Sequence, residues 1–100
     1  MQILDYKAAP TVLSLYTLVL TCGACPEQYD VFDSEGKQVG YLRLRHGGFR
    51  ADYPDCGGDT VYRYSFDDGW KGIFDGDEER EKYLTEAVKA LHNKIQLEKE

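Results

Sequence analysis

The chain predicts an α+β fold: an antiparallel meander of about five strands, with one C-terminal helix packed across one face. Three observations predict it. Short runs of alternating apolar and polar residues fill positions 11–66, turn residues separate those runs, and one helical period begins after residue 76. One hundred residues build one core, so the expectation is a single domain over 1–100.

The first predicted strand is Thr11 to Thr21, TVLSLYTLVLT, apolar on both alternating faces. A strand of that kind is internal or sits at an interface, and a homodimer seam is one use for it. Gly23 and Pro26 end it. Tyr29 to Asp33 forms the second strand, and Asp33-Ser34-Glu35-Gly36 the tight turn after it. Gln38 to Arg45 follows, with Val39, Tyr41, Arg43 and Arg45 on one face and Leu42 and Leu44 on the other. His46-Gly47-Gly48 turns the chain into Phe49 to Tyr53. A Gly-rich loop with Cys56 leads to the last strand, Thr60 to Phe66.

Asp75 then reads as a helix N-cap, with Glu78 three residues on as its capping-box partner. Acids at Asp77, Glu78, Glu79 and Glu81 suit the positive end of the helix dipole. Leu84, Ala87, Val88, Leu91 and Ile95 make one apolar stripe. The helix is expected from about Asp77 to about Leu97, at 1.5 Å per residue roughly 30 Å long.

Charge is segregated along the chain. The net charge of −6 argues against direct nucleic-acid binding by a generic phosphate contact, and against a polybasic membrane surface. No apolar run is long enough to span a bilayer. Gly36 to Ala51 holds no acid but carries Lys37, Arg43, Arg45 and Arg50. Asp67 to Glu81 holds seven acids (Asp67, Asp68, Asp75, Asp77, Glu78, Glu79, Glu81) against Lys71 and Arg80. Such acids serve as solvated surface and helix-dipole partners. The alternative reading is an acidic edge expected to dock on a basic, nucleic-acid-binding surface of another protein, with Trp70 and Phe74 as apolar anchors. Arg43, Arg45 and Arg50, with Tyr41 and Tyr53, make a secondary basic patch able to contact phosphates and stack bases.

Three cysteines, an odd number, do not close a disulfide framework. Thr11 to Leu20 lacks the cationic lead of a signal peptide, since Asp5 stands beside Lys7 and Pro10 follows. The expected location is therefore the cytoplasm, with reduced thiols. Cys22-Gly23-Ala24-Cys25 is a C-x-x-C, but a strand pattern follows it, not the helix that lowers a redox thiol's pKa. Cys22, Cys25, His46 and Cys56 together offer a candidate zinc quartet. No nucleophile elbow, phosphate loop or metalloprotease motif is present, so no catalytic residue is assigned and a non-enzymatic role is expected.

Two stretches resemble known families. EGKQVGYLRLR, Glu35 to Arg45, resembles the second and third strands of GNAT-type acetyltransferases, although the Gly-rich acetyl-CoA loop does not follow. This resemblance implies a small acetyl-CoA-dependent enzyme. CPEQYDVFDSEGKQVGYLRLRHGGFRADYPDCGGDTVY, Cys25 to Tyr62, is similar to short proteins carried by phages and mobile elements of Gram-positive gut bacteria. That resemblance implies a setting in which small acidic proteins often inhibit host defence, anti-CRISPR proteins among them.

The functional expectation is a binding protein that inhibits a host defence protein by occluding its basic surface, a CRISPR effector being one such target. The alternatives are a zinc-stabilised or nucleic-acid-contacting regulatory module, and the acetyltransferase-like enzyme.

Overall fold

A computed structural model describes residues 2–4, 12–23 and 26–99. Strand β1 spans Gln2–Leu4, β2 Thr17–Gly23, β3 Glu27–Phe32, β4 Gln38–Arg45, β5 Gly48–Tyr53 and β6 Asp59–Ser65, and helix α1 spans Asp77–Glu98. The strands lie in sequence order, each antiparallel to the next. This is the predicted α+β meander with its terminal helix. β1 adds an edge strand to the five that were expected. Three residues are too few to show a period, and pairing with Leu18, Val19 and Leu20 of β2 is what makes them a strand.

The expected strand from Thr11 to Thr21 is shorter in the structure. Thr11 lies outside the described residues, and Val12–Leu15 winds into a 3₁₀ turn before β2 starts. That turn packs against α1 and buries Leu13 completely. The apolar run thus serves two elements, which is why both of its faces look like core. Val39 also departs from the expectation. The β3–β4 register slips between Val31 and Phe32, and Val39 joins the core instead of the arginine face.

One face of the sheet and the stripe of α1 make the core. β3 gives Tyr29 and Val31, β4 gives Leu42 and Leu44, and β5 gives Phe49 and Ala51. α1 lays Leu84, Ala87, Val88 and Leu91 against them, and Tyr83 as well. Ile95 packs at the margin. The opposite face carries Arg43, Arg50 and Arg63, and among the described residues no helix lies over it.

The capping prediction is corrected. α1 begins after Gly76, in extended backbone, with no side-chain cap. Glu79, not Glu78, reaches back, and its Oε1 accepts the Asp75 backbone N–H at 2.9 Å. The reason is Lys71, whose ammonium draws both carboxylates to itself: Asp75 Oδ1 at 3.0 Å and Glu79 Oε1 at 2.9 Å. Asp77, Glu78 and Glu79 do occupy the first turn, where the helix dipole favours them.

Candidate functional site

The segment between β6 and α1 is folded tightly onto the sheet end. His46 and Gly47 join β4 to β5 in a two-residue turn, both with positive φ, 51° and 76°. Gly47 is required there, since a Cβ on it would sit 2.5 Å from the Asp68 carbonyl oxygen. Its N–H donates to the Lys71 carbonyl at 2.8 Å, and its carbonyl accepts the Phe66 N–H at 2.7 Å. The Glu27 N–H donates to the Gly72 carbonyl at 2.9 Å. Asp68 Oδ1 accepts the Trp70 N–H at 2.9 Å, an Asx turn that sets the loop tip.

A buried ionic network fastens the same loop from below. Glu27 is 1% exposed on the core side of β3. Arg80 meets it with two prongs, Nε to Oε2 at 2.7 Å and a terminal nitrogen to Oε1 at 3.2 Å. The Phe74 N–H and the Tyr29 hydroxyl donate to the same carboxylate. Four donors satisfy a charge that would otherwise be costly to bury. Burial, then the hydrogen bond to Glu27, pushes the Tyr29 hydroxyl pKa well up. The bond to Glu27 likewise raises Arg80 and keeps it charged.

The two aromatic anchors expected in this loop part company. Phe74 is buried, with its ring 5.2 Å from Phe49 and stacked at 6.0 Å on Tyr83. It is core, not an anchor, because the loop doubles back over the sheet end and places it between strand and helix. Trp70 stays 85% exposed. His46 stands edge-on to it, with ring centroids 6.5 Å apart.

The seven acids divide into three groups. Asp67, Asp68, Asp75 and Glu79 line a shallow depression of about 290 Å³ that Lys71 also lines. Burial works to lower the Lys71 pKa, but the bonds to Glu79 and Asp75 outweigh it and the pKa rises. Asp77 pairs with Arg80 at 2.9 Å. Glu78 and Glu81 are exposed on α1 with no ion pair among the described residues. The acidic edge expected from the sequence is therefore interrupted. Asp75, Asp77 and Glu79 are held by internal cations, while Asp67, Asp68, Glu78 and Glu81 keep their charge for solvent or a partner.

The basic patch is reorganised too. Arg43 and Arg50 are direct register partners, and Arg50 is also the partner of Arg63 on β6. Tyr41 shares this face but is buried, its hydroxyl beside Cys56, and burial raises its pKa. Tyr53 points to the helix side, where Lys94 lies 6.0 Å from its ring. Neither tyrosine offers a stacking surface next to the arginines. Arg63 was missing from the predicted patch. Its alternation with Tyr62 and Tyr64 placed it on this face, but only the β5–β6 register puts it opposite Arg50.

The candidate zinc quartet does not come together. His46 sits at the β4–β5 turn and Cys56 in the β5–β6 loop, at opposite ends of β5, about 20 Å apart for six residues of strand. Cys25 lies outside the described residues, and Cys22 is at the far end of β2 from Cys56. Among the described residues no three His, Cys, Asp or Glu side chains gather as metal ligands.

At the other end of the helix the Tyr16 hydroxyl and His92 Nδ1 lie 2.7 Å apart. Burial raises the Tyr16 pKa, and which of the two groups donates follows the tautomer of His92. The pair ties the 3₁₀ turn to α1 beside an open depression of about 590 Å³. Nothing in the sequence signals this pair, since its two members stand 76 residues apart.

No described helix is long and apolar enough to cross a membrane. Comparison with protein-family models, with curated proteins and with solved structures found no match.

Proposed function

We propose that this is a binding protein that engages a partner through Trp70 and the free carboxylates beside it, and blocks a basic surface of that partner by occupying it. One observation carries the reading: the largest apolar side chain of the β6–α1 loop is 85% exposed on a segment otherwise pinned in place. Exposing Trp has no folding benefit, and tryptophan is the residue most enriched at binding hot spots. The loop holding it is preorganised by backbone bonds to Gly47 and Glu27 and by the Lys71 and Arg80 ion pairs. A rigid loop loses little entropy when it binds.

Asp67 and Asp68 precede Trp70 in the same loop without an ion pair among the described residues, so a partner with an apolar pocket rimmed by Lys and Arg fits. The resemblance of Cys25 to Tyr62 to short phage and mobile-element proteins directs the reading to a host defence protein whose basic surface holds nucleic acid. A CRISPR effector is one such target. Exposed charge contacts are screened over about 10 Å at 0.1 M salt, so association should weaken as salt rises.

The test is capture from a Gram-positive host lysate at 50 and 500 mM salt, with the wild type, Trp70→Ala and Asp67→Lys compared. The expected result is a protein held by the wild type at low salt and lost from both variants. Adding free wild type should also displace nucleic acid from that captured protein. Identical capture by wild type and Trp70→Ala overturns the reading.

A further inference from the structure

The face of the sheet away from the helix carries a second surface that the Trp70 reading does not use. Arg43, Arg50 and Arg63 stand side by side across β4, β5 and β6 as direct register partners. Neighbouring strands are about 4.8 Å apart, so the three stems start within roughly 10 Å of each other. Arg45, two residues beyond Arg43 on the same face, is exposed. Like charges placed directly opposite each other destabilise a sheet. A fold that retains such a row has an unmet requirement for negative charge.

That requirement is not met within the described residues. Asp52 is the one carboxylate paired to the row, with its Oδ2 at 3.2 Å from Arg50 Nε. Asp52 is 2% exposed and already accepts the Thr60 hydroxyl at 2.8 Å and the Gly57 N–H at 3.3 Å. Its geometry toward Arg50 is so poor that Arg50 Nε, although buried, makes no hydrogen bond. Asp30 lies on the same face but receives Gln38 Nε2 at 3.3 Å, and burial raises its pKa. Arg43, Arg45 and Arg63 form no ion pair among the described residues.

We propose that this arginine row binds a single-stranded nucleic acid laid across the strands, with phosphates on the guanidinium forks and bases against their planes. A guanidinium offers two parallel donors that match a phosphate, and its flat face stacks on a base. A linear row of three suits a ligand whose charge repeats along a chain, where a single phosphate would use one fork. With Tyr41 buried and Tyr53 on the helix side, no aromatic ring among the described residues stands beside the row, so recognition is by backbone charge with little base preference. The chain's overall negative charge makes this binding weak and confined to low salt.

The experiment is fluorescence anisotropy of a labelled fifteen-nucleotide oligo(dT), titrated with the full chain at 25–200 mM salt. Three phosphate contacts predict a slope of log K against log salt of about −2, from roughly −0.7 per contact on single strands. Arg43→Gln with Arg63→Gln should lower affinity about tenfold at 50 mM salt and flatten the slope toward about −0.7, with the thermal melt unchanged or slightly raised. Arg63→Lys keeps the charge without the fork, so it should hold the slope and lose affinity by a few-fold. Arg50 is left intact because it neighbours the buried Asp52.

Absence of saturable binding at 25 mM salt overturns the proposal, as does unchanged affinity in the double variant. Equal affinity for polyglutamate overturns it in favour of an acidic protein partner. Concentration-dependent sedimentation lost in the double variant overturns it in favour of a second copy of the chain. Trp70→Ala should leave oligo(dT) binding intact, so failure here and failure of the Trp70 reading are separable.

Discussion

At the β6–α1 loop and the start of the helix the cations have their carboxylates: buried Lys71 holds Asp75 and Glu79, and half-buried Arg80 holds Glu27 and Asp77. Across the far face of the sheet Arg43, Arg50 and Arg63 lie in register around one carboxylate, Asp52, which pairs with Arg50 and also accepts hydrogen bonds from Thr60 and Gly57. In the first region charge closes on itself and fastens the loop to the core. In the second it opposes the fold and faces outward. Charge counted along a chain says little until its partners are known. The acidic segment, the stronger signal in the sequence, is the one the fold partly neutralises. The basic strands, the weaker signal, keep Arg43 and Arg63 without an ion pair among the described residues.

The same contrast separates two aromatics of one loop. The sharpest way to break it is Phe74→Ala, which removes a ring packed on Phe49 and Tyr83 and should cost about 3–5 kcal/mol in urea unfolding. A loss under about 1 kcal/mol would mean that the loop is not folded onto the core. Next comes Glu27→Gln, which strips Arg80 of its main partner. Arg80 keeps some access to water, so the expected loss is about 2–3 kcal/mol, somewhat below that of a fully buried pair. Arg80→Met added to it should recover part of that loss, and a fully additive double variant would show that the two side chains are not coupled.

Alkali tests the helix side of the sheet more gently. The hydrogen bond with Tyr64, followed by burial, pushes the Tyr83 pKa up to about 12, and burial raises Tyr62 and Tyr29 as well. The unfolded chain sheds these protons from about pH 10, while the folded chain holds them. The unfolded state therefore binds fewer protons, and stability falls as pH rises from about 10 through 12. Melts across that range, read beside tyrosinate absorbance, should show the loss begin before these tyrosines ionise in the folded protein. A melt that is flat to pH 12 would contradict the assigned environments.

The smallest expected effects are on the two exposed groups. Trp70→Ala should change stability by less than about 0.5 kcal/mol while abolishing partner capture. Arg63→Gln should be neutral or stabilising by a few tenths of a kcal/mol, through relief of the like charge opposite Arg50. A clear loss of stability from either one would move it from the binding surface to the structural framework.

What the residues determined by themselves is the architecture. Alternation in Gln38 to Arg45 and Phe49 to Tyr53, the turn at His46-Gly47, and the stripe from Leu84 to Ile95 are local patterns, and each reappears as an element. Local geometry decides them because a strand or helix must bury one face whatever lies opposite. Tertiary structure alone decided which charges are paired, which aromatic is core, and which arginines stand together. Glu27 and Arg80 are 53 residues apart, and Arg43, Arg50 and Arg63 meet only through strand register. No sequence period encodes a partner at such separations, since an ion pair or a cross-strand row depends on where the backbone returns and not on what neighbours it along the chain.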